Sequence, residues 1–157
     1  MVRLVPMTDA EFQTYLEFDI QRYAEGQVKA GNWDAAEALE KSRRDHQQLL
    51  PDGLATRNHH LFSLEDEDTG SKVGMIWFAL DDQEPHRTAY VYDFIIHDEF
   101  RRRGYGTQAL QALEIKVKEL GINKISLHVF EHNHAARALY EKVGYEITGL
   151  DMLKRLS

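Results

Sequence analysis

One short loop in the sequence combines basic side chains with glycines, and it lies between a predicted strand and a predicted helix. It reads Arg101-Arg102-Arg103-Gly104-Tyr105-Gly106-Thr107. Glycine adopts backbone conformations that a Cβ atom forbids, so Gly104 and Gly106 let a ligand approach the main chain. The loop amides and the first helical amides would converge on one point, where the helix dipole adds about half a positive charge. Such a point suits a phosphate or pyrophosphate, and the neighbouring arginines add donors.

On these residues alone, two interpretations of the loop stay open: a pyrophosphate site, or an ordinary strand-to-helix turn with solvated arginines. Two known phosphate loops are excluded, because the sequence contains neither the P-loop pattern GxxxxGK[ST] nor the dinucleotide pattern GxGxxG. The GxSxG pattern of α/β-hydrolases is also missing.

A carboxylate interrupts the apolar strand that precedes this loop. Asp93 stands in the run Val91-Tyr92-Asp93-Phe94-Ile95. An unpaired buried carboxylate is costly, so we expect Asp93 to be either functional or structurally paired. Alternation along a strand puts Tyr90 and Tyr92 on the face opposite Asp93. Glu99, just beyond the strand, is predicted to lie in a surface turn.

The eight histidines raise the question of a metal site, and the sequence contains no cysteine. His128, His132 and His134 are the densest group, but no partner stands at a recognised ligand spacing. We therefore predict structural or surface roles for them and no metal. Without cysteine the chain also has no disulfide, no thiolate ligand and no cysteine nucleophile.

The hydrophobic pattern predicts one α+β domain over residues 1–157, with helices and strands in alternating groups. An antiparallel meander comes first, and a strand–helix–strand–helix half follows. The predicted strands are 2–5, 59–64, 72–80, 88–97, 122–130, 145–148 and 150–156. The predicted helices are one after a capping box at Thr8, one from near Asn32 or Trp33 to before Pro51, then 106–120 and 135–143.

The two N-terminal helices differ in their apolar faces. Phe12, Leu16, Ile20 and Tyr23 form a stripe on the first helix, which we expect Gly26 and then Gly31 to interrupt. The second helix has few apolar residues among many charges, so it is predicted to be largely solvated and to cover a cleft rather than fill a core. Its apolar residues are Trp33, Ala36, Leu39 and Leu50.

With a second motif downstream, the sequence resembles the GNAT superfamily of N-acetyltransferases. The basic loop, Arg101-x-x-Gly104-x-Gly106, is similar to that family's acetyl-CoA pyrophosphate loop, [QR]-x-x-G-x-[GA]. The second motif is similar to the family's N-x-x-A-x-x-L-Y-x-x-x-G-[FY]. It reads Asn133-x-x-Ala136-x-x-Leu139-Tyr140-Glu141-Lys142-x-Gly144-Tyr145. Both motifs occur in the family's order, whereas residues 8–58 carry no motif.

The resemblance implies a mixed central sheet flanked by helices, in which the strand before the loop splays from its neighbour and pantetheine lies in the gap. Backbone groups of this strand would bind pantetheine and polarise the thioester carbonyl, and the loop amides would bind the pyrophosphate. The residues that would contact acetyl-CoA are Phe94, Ile95, Ile96, Arg101, Arg102, Arg103, Gly104, Tyr105, Gly106, Thr107, Asn133, Ala136 and Tyr140.

The same resemblance gives roles in catalysis to two residues. Tyr140 matches the family's general acid, which would protonate the departing CoA thiolate. A phenol of pKa about 10 can do this only within hydrogen-bond reach of the sulfur. Asp93 is our candidate for the base that collects the ammonium proton. Alternatives stay open on the residues alone, because Tyr140 could be a packing residue and Asn133 an ordinary helix N-cap.

The leading hypothesis is an acetyl-CoA-dependent N-acetyltransferase in which a neutral amine attacks directly in a ternary complex. The acceptor would be an amine of a small molecule or peptide, bound near Trp33, Trp77 or Tyr92. The alternative is a non-catalytic acyl-CoA-binding regulatory module, and a homodimer is left open. The net charge of −7 argues against nucleic acid as a partner. No apolar run approaches a membrane span, so we expect no membrane contact and a cytoplasmic protein.

Overall fold

The computed structural model describes residues 1–156 of the 157-residue chain. Its strands are β1 (Val2–Pro6), β2 (His59–Asp66), β3 (Lys72–Asp81), β4 (Thr88–Ile96) and β5 (Ile125–Leu127). Its helices are α1 (Asp9–Lys29), α2 (Ala35–Leu49), α3 (Tyr105–Glu119) and α4 (His134–Lys142). Two compact units divide the chain: Met1–Leu127 holds the five strands with α1, α2 and α3, and the unit that begins at His128 holds α4. The prediction of a single domain stays a prediction.

The five strands form one mixed sheet in the order β1-β2-β3-β4-β5. Neighbouring strands from β1 to β4 are antiparallel, whereas β5 runs parallel to β4. Parallel neighbours need a long crossover, and α3 supplies it here. The predicted α+β class, with an antiparallel meander followed by strand–helix–strand–helix, is confirmed.

Helix α1 begins with the predicted capping box. The Glu11 amide donates to Thr8 Oγ1 at 3.1 Å, and the Thr8 amide donates to Glu11 Oε1 at 2.9 Å. The expectation that Gly26 interrupts the helix is wrong, since α1 continues to Lys29. One glycine costs a helix only about 1 kcal/mol, which is too little to end a helix of 21 residues. The second expected interruption is confirmed, because the chain turns at Gly31, whose φ of +79° suits glycine.

The sheet separates two groups of side chains, because alternate residues of a strand point to opposite faces. On the face that we call the α1 face, Leu61, Met75 and Trp77 pack with Phe12 and Tyr15 in a buried cluster. The opposite face carries Phe62 and Phe78 and is covered by α3, whose Lys116 lies over the Phe62 ring. Four side chains of α3 are buried: Ala109, Leu110, Leu113 and Val117.

The prediction for α2 is wrong in detail. The helix is largely exposed, as expected, but the apolar residue Leu39 is 46% exposed. Its buried stripe is Ala38, Ser42 and His46, two of which are polar. Hydrophobicity alone could not find this face, because Ser42 and His46 are polar and hydrogen bonds offset the cost of burying them. Ser42 Oγ donates to the Ile20 carbonyl at 2.7 Å.

Three predicted strands near the C-terminal end differ from the structure. The strand predicted over 122–130 is only Ile125–Leu127, and within the described residues no strand is formed over 145–148 or 150–156. Neighbouring side chains there, Met152 and Leu153, are both more than three-quarters exposed. Adjacent positions point to opposite sides of an extended chain, so neither side is buried and nothing fixes a strand register.

Within residues 1–156, none of the helices is both long enough and apolar enough to cross a membrane.

A glycine in β3 permits a close contact with β4. A Cβ atom on Gly74 would lie 1.9 Å from the Ile95 carbonyl oxygen and 3.1 Å from the Ile96 Cα. Both obstacles are backbone atoms of β4, so no side-chain rotation relieves them. Gly74 therefore fixes how closely the loop-proximal end of β4 lies on β3.

We expect Gly74→Ala to destabilise the protein by about 3 kcal/mol, the upper end of overpacking costs. The matched control is Gly26→Ala, whose Cβ would meet nothing within 4 Å. That helical substitution should stabilise the protein by about 0.5–1 kcal/mol. Equilibrium unfolding in urea measures both. Equal stability of Gly74→Ala and the parent chain would contradict the close contact.

Candidate active site

The basic loop joins β4 to α3 through a short 3₁₀ turn, Asp98–Phe100. Two of its residues have left-handed backbone conformations, Arg102 with φ of +63° and Gly104 with φ of +83°. A residue other than glycine rarely adopts this conformation, so Arg102 marks a specialised turn. A Cβ on Gly104 would meet nothing within 4 Å, so open space adjoins the main chain at this position.

The backbone amides of this loop form a row of donors. The first backbone hydrogen bond of α3 runs from the Gln108 amide to the Gly104 carbonyl at 3.2 Å. Among the described residues, no backbone carbonyl accepts from the amides of residues 102–107. Amides at a helix N-terminus point outward along the axis and attract anions. The loop can therefore bind a phosphate-sized anion through its main chain.

Tyr105 fastens this loop to the end of β2. Its hydroxyl donates to Asp66 Oδ2 at 2.6 Å, and the Asp68 amide donates to Asp66 Oδ1 at 2.9 Å. The hydrogen bond from Tyr105, aided by that amide, lowers the pKa of Asp66. An ionised Asp66 thus holds the first residue of α3.

Two of the loop arginines contact residues that lie just before them in the chain. Arg101 Nε donates to the Ile96 carbonyl at 3.0 Å, and its guanidinium pairs with Asp98 at 3.2 Å. Arg103 lies over the Phe100 ring, 5.8 Å from its centroid. These contacts shape the loop, and the predicted contacts of both arginines with a cofactor stay predictions.

Strand β4 extends well beyond its pairing with β5. The parallel ladder joins only Ala89, Tyr90 and Val91 of β4 to Ile125–Leu127. Past Val91 the strand continues through the predicted pantetheine-binding residues, Phe94, Ile95 and Ile96, to the basic loop. An extended ligand can use the edge of such a strand.

A β-bulge in β4 overturns one prediction from the sequence. Asp93 is paired with Trp77 and Val91 with Phe78, so Tyr92 is an extra residue. The Tyr92 ring stacks on Trp77 at 4.8 Å, and Tyr90 contacts the Tyr92 ring at 5.0 Å. Asp93 lies on the same face as its partner Trp77. Tyr90 and Tyr92 therefore share the α1 face with Asp93, because the bulge breaks the alternation.

Asp93 is almost buried and accepts three hydrogen bonds. Its Oδ2 accepts from the Tyr15 hydroxyl at 2.6 Å and from Arg22 Nη2 at 2.5 Å. Its Oδ1 accepts from the Phe94 amide at 3.0 Å. Burial raises the pKa of Asp93, although the Arg22 charge acts in the opposite direction. The sequence predicted that Asp93 is either functional or structurally paired. The structure shows that it is paired, and because its pKa is still raised, the pairing does not exclude a function in proton transfer.

Arg22 also binds a second carboxylate, which continues the network into α2. Its Nη2 donates to Asp19 Oδ1, and Asp19 Oδ2 lies 2.8 Å from His46 Nε2. Burial opposes ionisation of Asp19, but His46 and Arg22 outweigh it, so the pKa of Asp19 is lowered. Burial likewise opposes the charge on His46, but Asp19 and the Ser42 carbonyl outweigh it and raise its pKa. Four ionisable side chains, alternately acidic and basic, are thus connected.

Aromatic rings lie on the α1 face of the sheet, on the same face as Asp93. Trp77 is buried, whereas Tyr90 and Tyr92 are about two-fifths exposed. Trp77 Nε1 donates to His59 Nδ1 at 3.0 Å, so this nitrogen carries no proton, and burial lowers the pKa of His59. Trp33, the third predicted acceptor neighbour, packs edge-on against Tyr23.

The second motif lies in the unit that begins at His128. Asn133 is the N-cap of α4, and its side chain accepts from the Ala136 amide at 3.3 Å. The N-cap alternative for Asn133 is therefore confirmed. Tyr140 lies on α4, and its ring contacts that of Tyr145 at 5.5 Å. The predicted cofactor and acid roles of these residues stay predictions.

The histidines of the same unit pack with an aromatic ring. His128 and His132 both contact the Phe130 ring, at 5.0 and 5.5 Å. His134 is the first residue of α4. Across residues 1–156, no three side chains of histidine, aspartate or glutamate are grouped as a metal site requires.

Comparison with known proteins identifies the family. The model of the Acetyltransferase (GNAT) family matches residues 27–145, which include both motifs. The chain belongs to the GNAT family of acetyltransferases. It is 41% identical over 155 residues to a Bacillus subtilis protein named "Uncharacterized N-acetyltransferase YycN", with 99% of each chain covered. It is 35% identical over 153 residues to YdgE of the same organism, an N-acetyltransferase by name, with 98% and 97% covered.

Solved structures agree with this assignment. The crystal structure of YycN superposes with a TM-score of 0.89 and covers 100% of this chain and 99% of its own. A GCN5-related N-acetyltransferase from Ralstonia eutropha, 22% identical, superposes with a TM-score of 0.65 and covers 99% and 97%. The latter shows a common fold. As a GNAT member the chain is an acyltransferase, and enzymes of this family act on an amine acceptor, which favours the enzyme over the binding-module alternative.

Sequence reasoning missed the partners of Asp93. Tyr15, Asp19 and Arg22 are spaced by four and three residues, so they share one face of α1. That spacing is visible in the sequence, but polar residues on a helix face are ordinarily solvated, so the spacing alone does not indicate a buried partner. His46 carries no such signal, since its partner lies in another helix.

Proposed function

We propose that this GNAT protein transfers an acetyl group from acetyl-CoA to a primary amine of a small molecule or peptide. The amine attacks directly in a ternary complex. One arrangement supports the proposal: the amide-lined loop at the start of α3 directly follows the part of β4 that extends past β5. The same strand carries Asp93, so anion-binding amides and a buried carboxylate lie on one continuous segment.

The residues present fit acetyl-CoA. The amides of residues 102–107 would bind its pyrophosphate, since open space adjoins Gly104 and those amides lack backbone acceptors among the described residues. The backbone of Phe94, Ile95 and Ile96 would bind the pantetheine amides, as the resemblance implies. Asn133 and Ala136 would add contacts on the strength of their motif alone. When bound, acetyl-CoA supplies an acetyl group activated as a thioester.

Asp93 is the proposed proton acceptor. A carboxylate has about four lone-pair sites, and three hydrogen bonds leave one for a water or an ammonium group. Its raised pKa makes the ionised carboxylate a stronger base, and the positive charge of Arg22 favours the ionised form. His59 is a weaker candidate, because Trp77 occupies Nδ1 and the neutral ring then carries its proton on Nε2.

Tyr140 is the proposed general acid, and this role rests on the second motif. As the amine nitrogen bonds to the acetyl carbon, the carbon–sulfur bond breaks and the Tyr140 hydroxyl gives its proton to the sulfur. A thiolate of pKa about 8.5 accepts that proton once the phenol lies within hydrogen-bond reach. The chain has no cysteine to carry the acetyl group, which supports direct attack.

We expect Gly104→Val to weaken acetyl-CoA binding at least tenfold, or about 1.4 kcal/mol, because a branched side chain shields the loop amides. Gly31→Val is the matched control. Gly31 has a similar φ of +79° and likewise meets nothing within 4 Å, so it introduces the same backbone strain. Isothermal titration calorimetry with acetyl-CoA measures both. Equal affinities for the two variants would remove the pyrophosphate role of the loop.

We expect Tyr140→Phe to lower kcat by about 10²–10⁴-fold, with little change in acetyl-CoA affinity, because only the proton donor is lost. Tyr145→Phe removes a hydroxyl from the neighbouring ring of the same unit and should retain most of the activity. Initial rates of amine-dependent thiol release measure kcat. A Tyr140→Phe enzyme that works at the full rate would exclude the general-acid role.

A further inference from the structure

The side chains behind Asp93 form one connected chain that reaches the outer helix α2. The order is Asp93, Arg22, Asp19 and His46, so acidic and basic side chains alternate. Asp19, His46 and Asp93 are each less than 15% exposed as side chains. The chain thus runs from β4 through α1 to α2, and none of its members belongs to either GNAT motif.

His46 is bound at both ring nitrogens in a way that favours the imidazolium form. Its Nδ1 lies 2.8 Å from the Ser42 carbonyl oxygen, which only accepts, so Nδ1 carries a proton. Its Nε2 lies 2.8 Å from a carboxylate oxygen of Asp19, which also accepts. With Asp19 ionised, both nitrogens therefore donate.

Arg22 uses one nitrogen, Nη2, for both carboxylates. The strength of the ion pair between Arg22 and Asp93 therefore depends on how far another cation neutralises the negative charge of Asp19. His46 supplies that second positive charge. Without it, Asp19 would draw Arg22 away, and Asp93 would keep its buried charge with less compensation.

We propose that Arg22 and His46 are positioning residues for the reaction: His46 holds Asp19, which leaves Arg22 free to hold Asp93 ionised and correctly placed beside the β4 bulge. This inference rests on the proposed function, in which Asp93 accepts the proton of the amine. It assigns a role in activity to α2, a helix that carries no motif.

Other groups near the network act on His46 as well. Asp45 on its own helix adds a negative charge, and the rings of Tyr23 from α1 and Trp77 from β3 pack against the imidazole. Asp19 provides the facing carboxylate. Because the pKa of His46 is raised in the folded protein, its stabilising charge is present at low pH. That charge is lost as the pH rises through the folded-state pKa.

The first test is the pH dependence of kcat/KM. Arg22→Gln should raise the pKa of Asp93 by roughly 1–3 units, because an opposite charge is removed, and should move the acid limb to higher pH by that amount. His46→Leu should move the limb in the same direction by less. His46→Leu should also lower the rate. His46→Gln keeps a hydrogen-bond donor for Asp19 without the positive charge, so it should recover part of the rate that His46→Leu loses.

The matched control is Arg43→Gln. Arg43 pairs with Glu17 at 3.2 Å and so joins the same two helices, but at the exposed surface and outside the network. This variant should leave the acid limb unchanged. A merely structural role for Arg22 and His46 would lower kcat at every pH without moving the limb, and that result would overturn the inference.

The second test does not depend on turnover. Isotope-labelled histidine, assigned with the His46→Gln variant, should show by NMR that His46 is doubly protonated at neutral pH, and that Asp19→Asn removes this proton. A neutral His46 in the parent chain would overturn the inference even if the enzyme is active. Conversely, a protonated His46 in a protein that acetylates no amine would overturn the proposed function and leave the network intact.

Discussion

A carboxylate buried in the central sheet needs compensation, and much of the α1 face is arranged to supply it. Asp93 would be too costly inside an apolar strand without partners. Tyr15 and Arg22 of α1 provide them through hydrogen bonds to Oδ2 of Asp93. Arg22 in turn shares its charge with Asp19, which is bound to His46 of α2. One buried charge thereby ties both N-terminal helices to the strand that leads into the basic loop.

Two backbone irregularities in the middle of the sheet adapt the same strand. The extra residue at Tyr92 turns consecutive side chains toward the α1 face and ends the regular alternation. Three residues further along β4, the Ile95 carbonyl approaches the backbone of Gly74 in β3 more closely than a Cβ atom at that position would permit. In β4, the bulge at Tyr92 and the close contact at Ile95 both follow Val91, where the pairing of β4 with β5 stops. The irregular part of β4 is thus the part that the GNAT resemblance assigns to the cofactor and the acceptor.

Local signals in the sequence were reliable where a single mechanism decides the structure. The capping box of Thr8 and Glu11 was predicted, and the helix predicted over 106–120 is α3, Tyr105–Glu119. The N-cap at Asn133 was one of two alternatives left open by the sequence. A bulge leaves no comparable signal, so the face of Tyr92 relative to Asp93 was predicted wrongly. The buried face of α2 was missed because His46 is polar, and its burial depends on hydrogen bonds to Ser42 and Asp19 that a hydrophobic pattern does not record. The motifs identified the family, but the charges that support Asp93 became visible only through the fold.

The most direct test of acetyl transfer to an amine is thiol release from acetyl-CoA, followed with a thiol-reactive dye across polyamines, amino acids, aminoglycosides and peptides with free amines. The protein contributes no background, because it contains no cysteine. We expect release that depends on the amine, saturates with both substrates and yields one acetylated amine for each thiol. Saturable acetyl-CoA binding without release above the blank for any of these amines would contradict it.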